Sequence, residues 1–278
     1  MCEMAQSMRL EDLLERFKAD SGRYSAMKVP SDDASRRRAL RSLMNIRPPR
    51  PMDAETLSLQ DAYLTQRARE KGIVCVEEIP TAAQRYGAKG PFADKISLWQ
   101  GDITRLAADA IVNAANSQML GCFVPMHSCI DNCIHSFAGV QLRQACAQQM
   151  AALRERFGLD YEQPTGVPML TGGYNLPAKN VIHVVGPIVE DAVTPKLERD
   201  LASCYTRVLD MCLANGLRSV AFCCISTGVF RFPNRRAAEI AVQTVREWLA
   251  AHPDGLNRAV FNVFKDEDLR LYEALLSN

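Results

Sequence analysis

Cys122, His127 and Cys129 stand within eight residues of chain and offer two thiols and an imidazole, the donors that zinc prefers. Three protein ligands leave the fourth tetrahedral position to water or substrate, whereas structural zinc sites use four. The cluster therefore points to a zinc ion that can do chemistry. Cysteines also serve as small apolar fillers of cores, so the surroundings decide between the two roles. The cluster follows a strand-like run that ends in Asn113-Ala-Ala-Asn116-Ser117. Cys133 comes four residues after Cys129, on the same face if a helix has begun. As a fourth thiolate it would close the site.

Such a cluster needs a scaffold, and the chain alternates strand and helix beyond residue 90, the pattern of a layered α/β domain with a largely parallel sheet. Residues 96–99, 110–113, 167–170, 181–185, 219–225 and 259–264 read as strands. Helical segments fall near 130–152, 195–215, 235–251 and 266–276. Open α/β sheets bind ligands beyond the carboxyl ends of their strands, where loops lead into helix amino termini. Gly101-Asp102-Ile103-Thr104, the segment 113–129 and Ser226-Thr227-Gly228-Val229-Phe230 all follow such strands. Three loops are thus expected to converge on one cleft.

The first 90 residues read differently, as amphipathic helix with Leu10, Leu13, Leu14 and Phe17 on one face and a break at Arg47-Pro48-Pro49-Arg50-Pro51. The division expected is a helical extension over 1–90 and an α/β domain over 91–278. Arg36, Arg37, Arg38 and Arg41 read as a solvated helix face, with Asp32 and Asp33 as cap and dipole partners. The formal net charge of +1 gives no field that would draw the chain onto nucleic acid or an anionic membrane. Ten cysteines scattered through apolar segments suit a reducing compartment better than a disulfide framework. With no signal-like amino terminus and no long apolar run, the expected location is the cytoplasm.

Gly101 to Thr104, Asp109 to Ser117 and Ser226 to Phe230 together resemble the motifs of a macrodomain, over roughly residues 92 to 276. Most macrodomains carry a run of glycines after the Asn-Ser segment. Here Gly121-Cys122 leads instead through His127 and Cys129 to Asp131 and Asn132, which is similar to the zinc-dependent class. The resemblance implies a three-layer α/β/α fold with a mixed, largely parallel sheet, preceded by helices. It implies removal of mono-ADP-ribose from modified proteins, with release of ADP-ribose. Members of that class often act beside a sirtuin-type transferase and lipoylated carrier proteins.

The residues agree with that implication. Asp102 can accept from an exocyclic adenine amine while the amide of Ile103 donates to a ring nitrogen; capping the following turn is its ordinary role. The amides of Ser226, Thr227, Gly228, Val229 and Phe230 can form a concave nest for a diphosphate. Asn116 can donate to and accept from a vicinal diol, or cap its own loop. Gly172-Gly173, after the 167–170 strand, would let the backbone approach that ribose. Arg231 has no assigned role.

Cleavage of the bond to the ribose anomeric carbon passes through an oxocarbenium-like state, so water must be activated or an oxygen polarised. Zinc does either. Asp131 stands where a related macrodomain branch carries an acidic residue. It reads as a general base or water-orienting group, or else as an early-helix carboxylate favoured by the dipole. Cys133 is expected to pack as an apolar residue, since the family pattern varies there, and His135 as a core histidine. The alternatives to a hydrolase are a reader that binds ADP-ribose without turnover, its zinc only structural, and a deacetylase of O-acetyl-ADP-ribose.

Overall fold

The computed structural model describes residues 2–277. Three helices come first: α1 (Cys2–Ser21), α2 (Asp33–Ile46) and α3 (Ala54–Lys71). Asp32 and Asp53 cap α2 and α3, accepting from the amides of Ser35 at 2.8 Å and Thr56 at 2.9 Å, which satisfies donors a helix start leaves orphaned. The Pro-rich link is pinned by Arg47, which pairs with Asp20 at 2.9 Å. Leu10, Leu13, Leu14, Phe17, Leu40, Leu43, Met44, Tyr63 and Leu64 form a small core of their own, joined by Val140. Each buried leucine there contributes about 1.5–3 kcal/mol.

The chain continues through β1 (Val74–Cys75), the short α4 (Ala82–Tyr86), β2 (Ile96–Gln100), β3 (Leu106–Ala107) and β4 (Ala110–Ala115). Then come α5 (Ile130–Ala138), α6 (Val140–Phe157), β5 (Met169–Gly172), β6 (Asn180–Val185) and α7 (Pro195–Ala214). The last elements are β7 (Ser219–Phe222), α8 (Asn234–Ala251), β8 (Arg258–Val263) and α9 (Asp266–Leu276). Six strands build the main sheet in the order β2-β8-β7-β4-β6-β5. All neighbours are parallel except β5 with β6. Their near-continuous burial matches a sheet covered on both faces. The result is a three-layer α/β/α fold, with α7, α8 and α9 packed in succession and α5 carrying α2 and α3.

Four expectations change. The helix expected over 130–152 is two helices, broken at Gly139 with φ 98°. A Cβ there would meet side-chain atoms of Gln141 and Gln60 at 2.7 Å. The strand expected over 219–225 ends at Phe222, so Cys223 and Cys224 open the following loop. The strand expected over 167–170 runs from Met169 to Gly172. By packing, the boundary near residue 90 moves earlier, because Val76, Ile79, Ala82 and Ala88 belong to the large core. Among the described residues no helix is long and apolar enough to cross a membrane.

Candidate functional site

Asn116 follows β4 directly, and from there to Ile130 the chain makes an irregular excursion at the carboxyl ends of the parallel strands. The donor atoms of Cys122, His127 and Cys129 all lie within 4.8 Å of one another, and each residue is partly buried. Cys122 Sγ is 3.7 Å from His127 Nδ1. Ligands of one tetrahedral zinc, at about 2.3 Å for sulfur and 2.0–2.1 Å for nitrogen, would stand about 3.5–3.8 Å apart. The donor set therefore fits zinc.

Its electrostatics agree. Burial pushes the Cys129 thiol up to about 12, helped by neighbouring Cys122 and Asp131 and opposed by the Asn132 amide. A half-buried thiol beside a second sulfur and a carboxyl resists becoming a thiolate unless a cation compensates it. Cys129 also caps α5, its sulfur 3.4 Å from the Asn132 amide, where the dipole favours negative charge. Cys133 does not join the three donors. Its sulfur instead lies 3.5 Å from Arg41 Nη2.

The ligand loop is braced from outside by Asn132, Arg143 and Arg41. Asn132 Nδ2 donates to the carbonyls of Cys122 at 3.3 Å and Val124 at 2.9 Å. Arg143 reaches Leu120 O at 2.7 Å and, with Nη1, three carbonyls of residues 44–47, while stacking over the Phe123 ring. Arg41 is not on a solvated face: Nη2 donates to His127 O at 2.9 Å and Asn132 Oδ1 at 2.7 Å. No sequence pattern separates Arg41 from its arginine neighbours. Only the α2–α5 contact selects it.

Asp131 is turned inward and is 5% exposed. Its Oδ1 accepts from Asn113 Nδ2 at 2.7 Å, and burial raises its carboxyl to about 6 against the opposing effect of that hydrogen bond and of Arg143. A general base must reach the proton it removes directly or through one water. Here the Asp131 carboxylate ties α5 to β4 through Asn113. Behind it lie His135, Cys146 and His183, all buried. His135 comes within 3.6 Å of Asp131 Oδ1, but burial holds its imidazole neutral, so the contact is no ion pair. His183 is engaged by Asn113 at 3.0 Å and Thr171 at 2.9 Å. The contacts of His183 are polar contacts of the core, whereas both ring nitrogens of His135, the core histidine expected, are buried without a hydrogen-bond partner among the described residues.

The other two loops leave β2 and β7, at the same carboxyl edge of the sheet. Asp102 Oδ1 accepts from the amide of Thr104 at 3.0 Å and its hydroxyl at 2.6 Å, while Oδ2 pairs with Lys71 at 2.6 Å. Although burial pulls the other way, Lys71 and Thr104 hold this carboxyl below its usual range. The side chain of Ile103 is buried, and among the described residues its amide has no backbone acceptor. Asn116 Oδ1 accepts from the Gln118 amide at 3.1 Å, a loop-capping contact.

After β7, Ser226 adopts φ 67° and Phe232 N donates to Ser226 O at 2.9 Å. The Thr227 amide turns back to Cys224 O at 3.4 Å. Among the described residues the amides of Gly228, Val229 and Phe230 have no protein acceptor. Gly228 and Val229 are exposed, and Phe230 is half-buried against the core. Three backbone donors are thus left free in this loop, the kind of group a backbone anion nest uses.

Gly173 is a correction. β5 runs antiparallel, Met169 pairing with His183 and Gly172 with Asn180, so Gly173 lies at the edge of the sheet opposite the cleft. Its amide donates to Lys179 O at 2.8 Å, and a Cβ would meet Ala178 O at 1.9 Å. It serves a tight turn. The glycine that does face the cleft loops is Gly186, just past β6, where a Cβ would meet Ser226 Oγ at 2.1 Å.

A three-layer α/β/α fold with the first two motifs and the Ser226 loop at the carboxyl edge of its sheet defines a macrodomain. The family model for the Macro domain matches residues 112–241. The chain is 44% identical to the protein-ADP-ribose hydrolase of Treponema medium, over 99% of this chain and 100% of that one. It is 42% identical to the protein-ADP-ribose hydrolase of Staphylococcus aureus strain MRSA252, over 95% of this chain and 94% of that one. The crystal structure of the Trypanosoma brucei macrodomain in complex with ADP-ribose superposes with a TM-score of 0.62 at 29% identity, covering 85% of this chain and 94% of that one. The chain belongs to the macrodomain family.

Proposed function

We propose that this chain is a zinc-dependent hydrolase that removes mono-ADP-ribose from modified protein side chains and releases ADP-ribose. The observation that carries the reading is the meeting of Cys122, His127 and Cys129 within 4.8 Å of one another, in a loop that leaves the same sheet edge as the Asp102 and Ser226 loops. Full-length similarity to protein-ADP-ribose hydrolases supports hydrolysis over simple binding.

Each loop has a distinct task in this reading. Asp102 and the Ile103 amide hold the adenine, with Lys71 keeping the carboxylate ionised and in place. The amides of Gly228, Val229 and Phe230 donate to the diphosphate. Asn116 Nδ2, whose protein contact with Gly121 O is long at 3.5 Å, is left to donate to a hydroxyl of the distal ribose. Cys122, His127 and Cys129 hold the zinc ion. Such an ion supplies Lewis acidity toward an oxygen and makes water a better nucleophile near neutral pH. Cys122 and Cys129 would supply sulfur donors and His127 a nitrogen donor to such an ion, the set that suits zinc.

The test is release of ADP-ribose from a mono-ADP-ribosylated protein, with a lipoylated carrier modified by a sirtuin-type transferase as one substrate to assay. Turnover by the wild type and loss of turnover in Cys122→Ala support the reading. Tight ADP-ribose binding with no release from any modified protein would establish a reader instead.

A further inference from the structure

The segment that carries the metal ligands makes little structure of its own. Between Gly121 and Cys129 it is neither helix nor strand, and Gly121 and Met126 both take positive φ, at 78° and 58°. The one backbone hydrogen bond made inside it runs from His127 N to Val124 O at 3.2 Å. A loop with so few internal bonds takes its shape from what surrounds it.

Two side chains on one face of α2, a turn apart, supply much of that surrounding. Arg41 Nη2 donates to His127 O at 2.9 Å and Asn132 Oδ1 at 2.7 Å. Asn45 Oδ1 accepts from Met126 N at 3.0 Å, and its Nδ2 donates to Ser136 Oγ at 2.8 Å. Asn132 in turn donates to Cys122 O and Val124 O. Arg41 thus grips His127 directly and reaches Cys122 through one amide side chain. The same guanidinium stands against Cys133 Sγ, the one further thiol near enough in sequence to compete.

Other contacts also join the extension to the macrodomain but touch no residue of the loop. Gln60 on α3 accepts from Val140 N at 3.1 Å and donates to Gln141 at 2.7 Å. They provide a control for docking in general.

We propose that α2 is part of the metal centre, with Arg41 and Asn45 as positioning residues that hold His127 where it can share an ion with Cys122 and Cys129. The proposal rests on the reading that this cluster binds zinc. Groups behind metal ligands typically influence metal affinity by about 10–100-fold, and here such groups come from the helical extension.

The experiment titrates cobalt into the metal-free full-length chain, following the absorbance of thiolate bound to cobalt, for the wild type, Arg41→Ala, Arg41→Lys, Asn45→Ala and Gln60→Ala. ADP-ribose affinity and thermal melting report that each variant is folded. Arg41→Ala is expected to weaken cobalt binding by about 10–100-fold, with Asn45→Ala weaker in the same direction and Gln60→Ala within about twofold of wild type. Arg41→Lys keeps the charge but not the fork and is expected to fall between. If Arg41→Ala does not fold, Arg41→Lys and Asn45→Ala carry the comparison. Wild-type cobalt affinity in the Arg41 and Asn45 variants, or an equal loss in Gln60→Ala, overturns the proposal and leaves the zinc reading intact. Absence of the thiolate–cobalt band from the wild type overturns the zinc reading, and the proposal with it.

Discussion

Cys122 Sγ lies 3.7 Å from His127 Nδ1, the spacing of two ligands on one tetrahedral ion, and Cys129 completes the set within 4.8 Å. Cys133, one helical turn beyond Cys129, is drawn to Arg41 instead. Cys133→Ser is therefore expected to keep the zinc content of the wild type, while Cys122→Ser and Cys129→Ser lose most of it. Metal analysis of the purified variants checks this. Loss of zinc in Cys133→Ser would make the site a closed, four-ligand centre.

Gly186 sits where a Cβ would meet Ser226 Oγ at 2.1 Å and Ile225 Cγ2 at 2.9 Å. Gly186→Ala must push the Ser226 loop away from β6. Overpacking of this kind costs about 1–3 kcal/mol, and 1.4 kcal/mol is about tenfold in affinity. Calorimetry is expected to show ADP-ribose binding weakened by about tenfold or more. An unchanged affinity would separate the loop from the diphosphate.

How the sheet edge was readable, and where it was not, follows from the kinds of signal involved. Strand alternation and loop chemistry are local, so Gly101 to Thr104, Asn113 to Ser117 and Ser226 to Phe230 could be placed at strand ends from residue order. Strand direction is not local. Gly173 looked like the other cleft glycines until the antiparallel pairing of β5 carried it to the opposite edge. Asp131 was one position in a helix start, and which way it faced depended on Asn113 waiting in β4. Arg41 was one arginine among four, and its partner His127 is 86 residues away.

Burial alone drives the His183 imidazole down to about 3. The folded state thus refuses a proton that the unfolded chain accepts below about pH 6.5. Stability from this group is fully present above about pH 6.5 and is lost as pH falls toward 3, by about 2–3 kcal/mol at pH 4.5. Denaturant unfolding across that range is expected to give a shallower pH dependence for His183→Gln. An equal slope would contradict a neutral buried histidine.

Asp102 meets Lys71 at 2.6 Å and the Thr104 hydroxyl at 2.6 Å. Asp102→Asn keeps the size but exchanges an acceptor for a donor at the position proposed to hold the adenine. ADP-ribose binding is expected to weaken by about tenfold, the loss of a charge-assisted hydrogen bond being about 1.5–3 kcal/mol. Affinity equal to wild type would leave Asp102 as a turn cap only.

The central claim is that the Cys122, His127 and Cys129 cluster works as a zinc centre in hydrolysis. The most direct measurement is ADP-ribose release from a mono-ADP-ribosylated protein by one preparation in three states: as isolated, stripped by chelator, and reloaded with zinc. Turnover should vanish on stripping and return on reloading in the wild type, and stay absent in Cys122→Ala. Release that proceeds at the same rate in stripped enzyme and in Cys122→Ala would contradict the account.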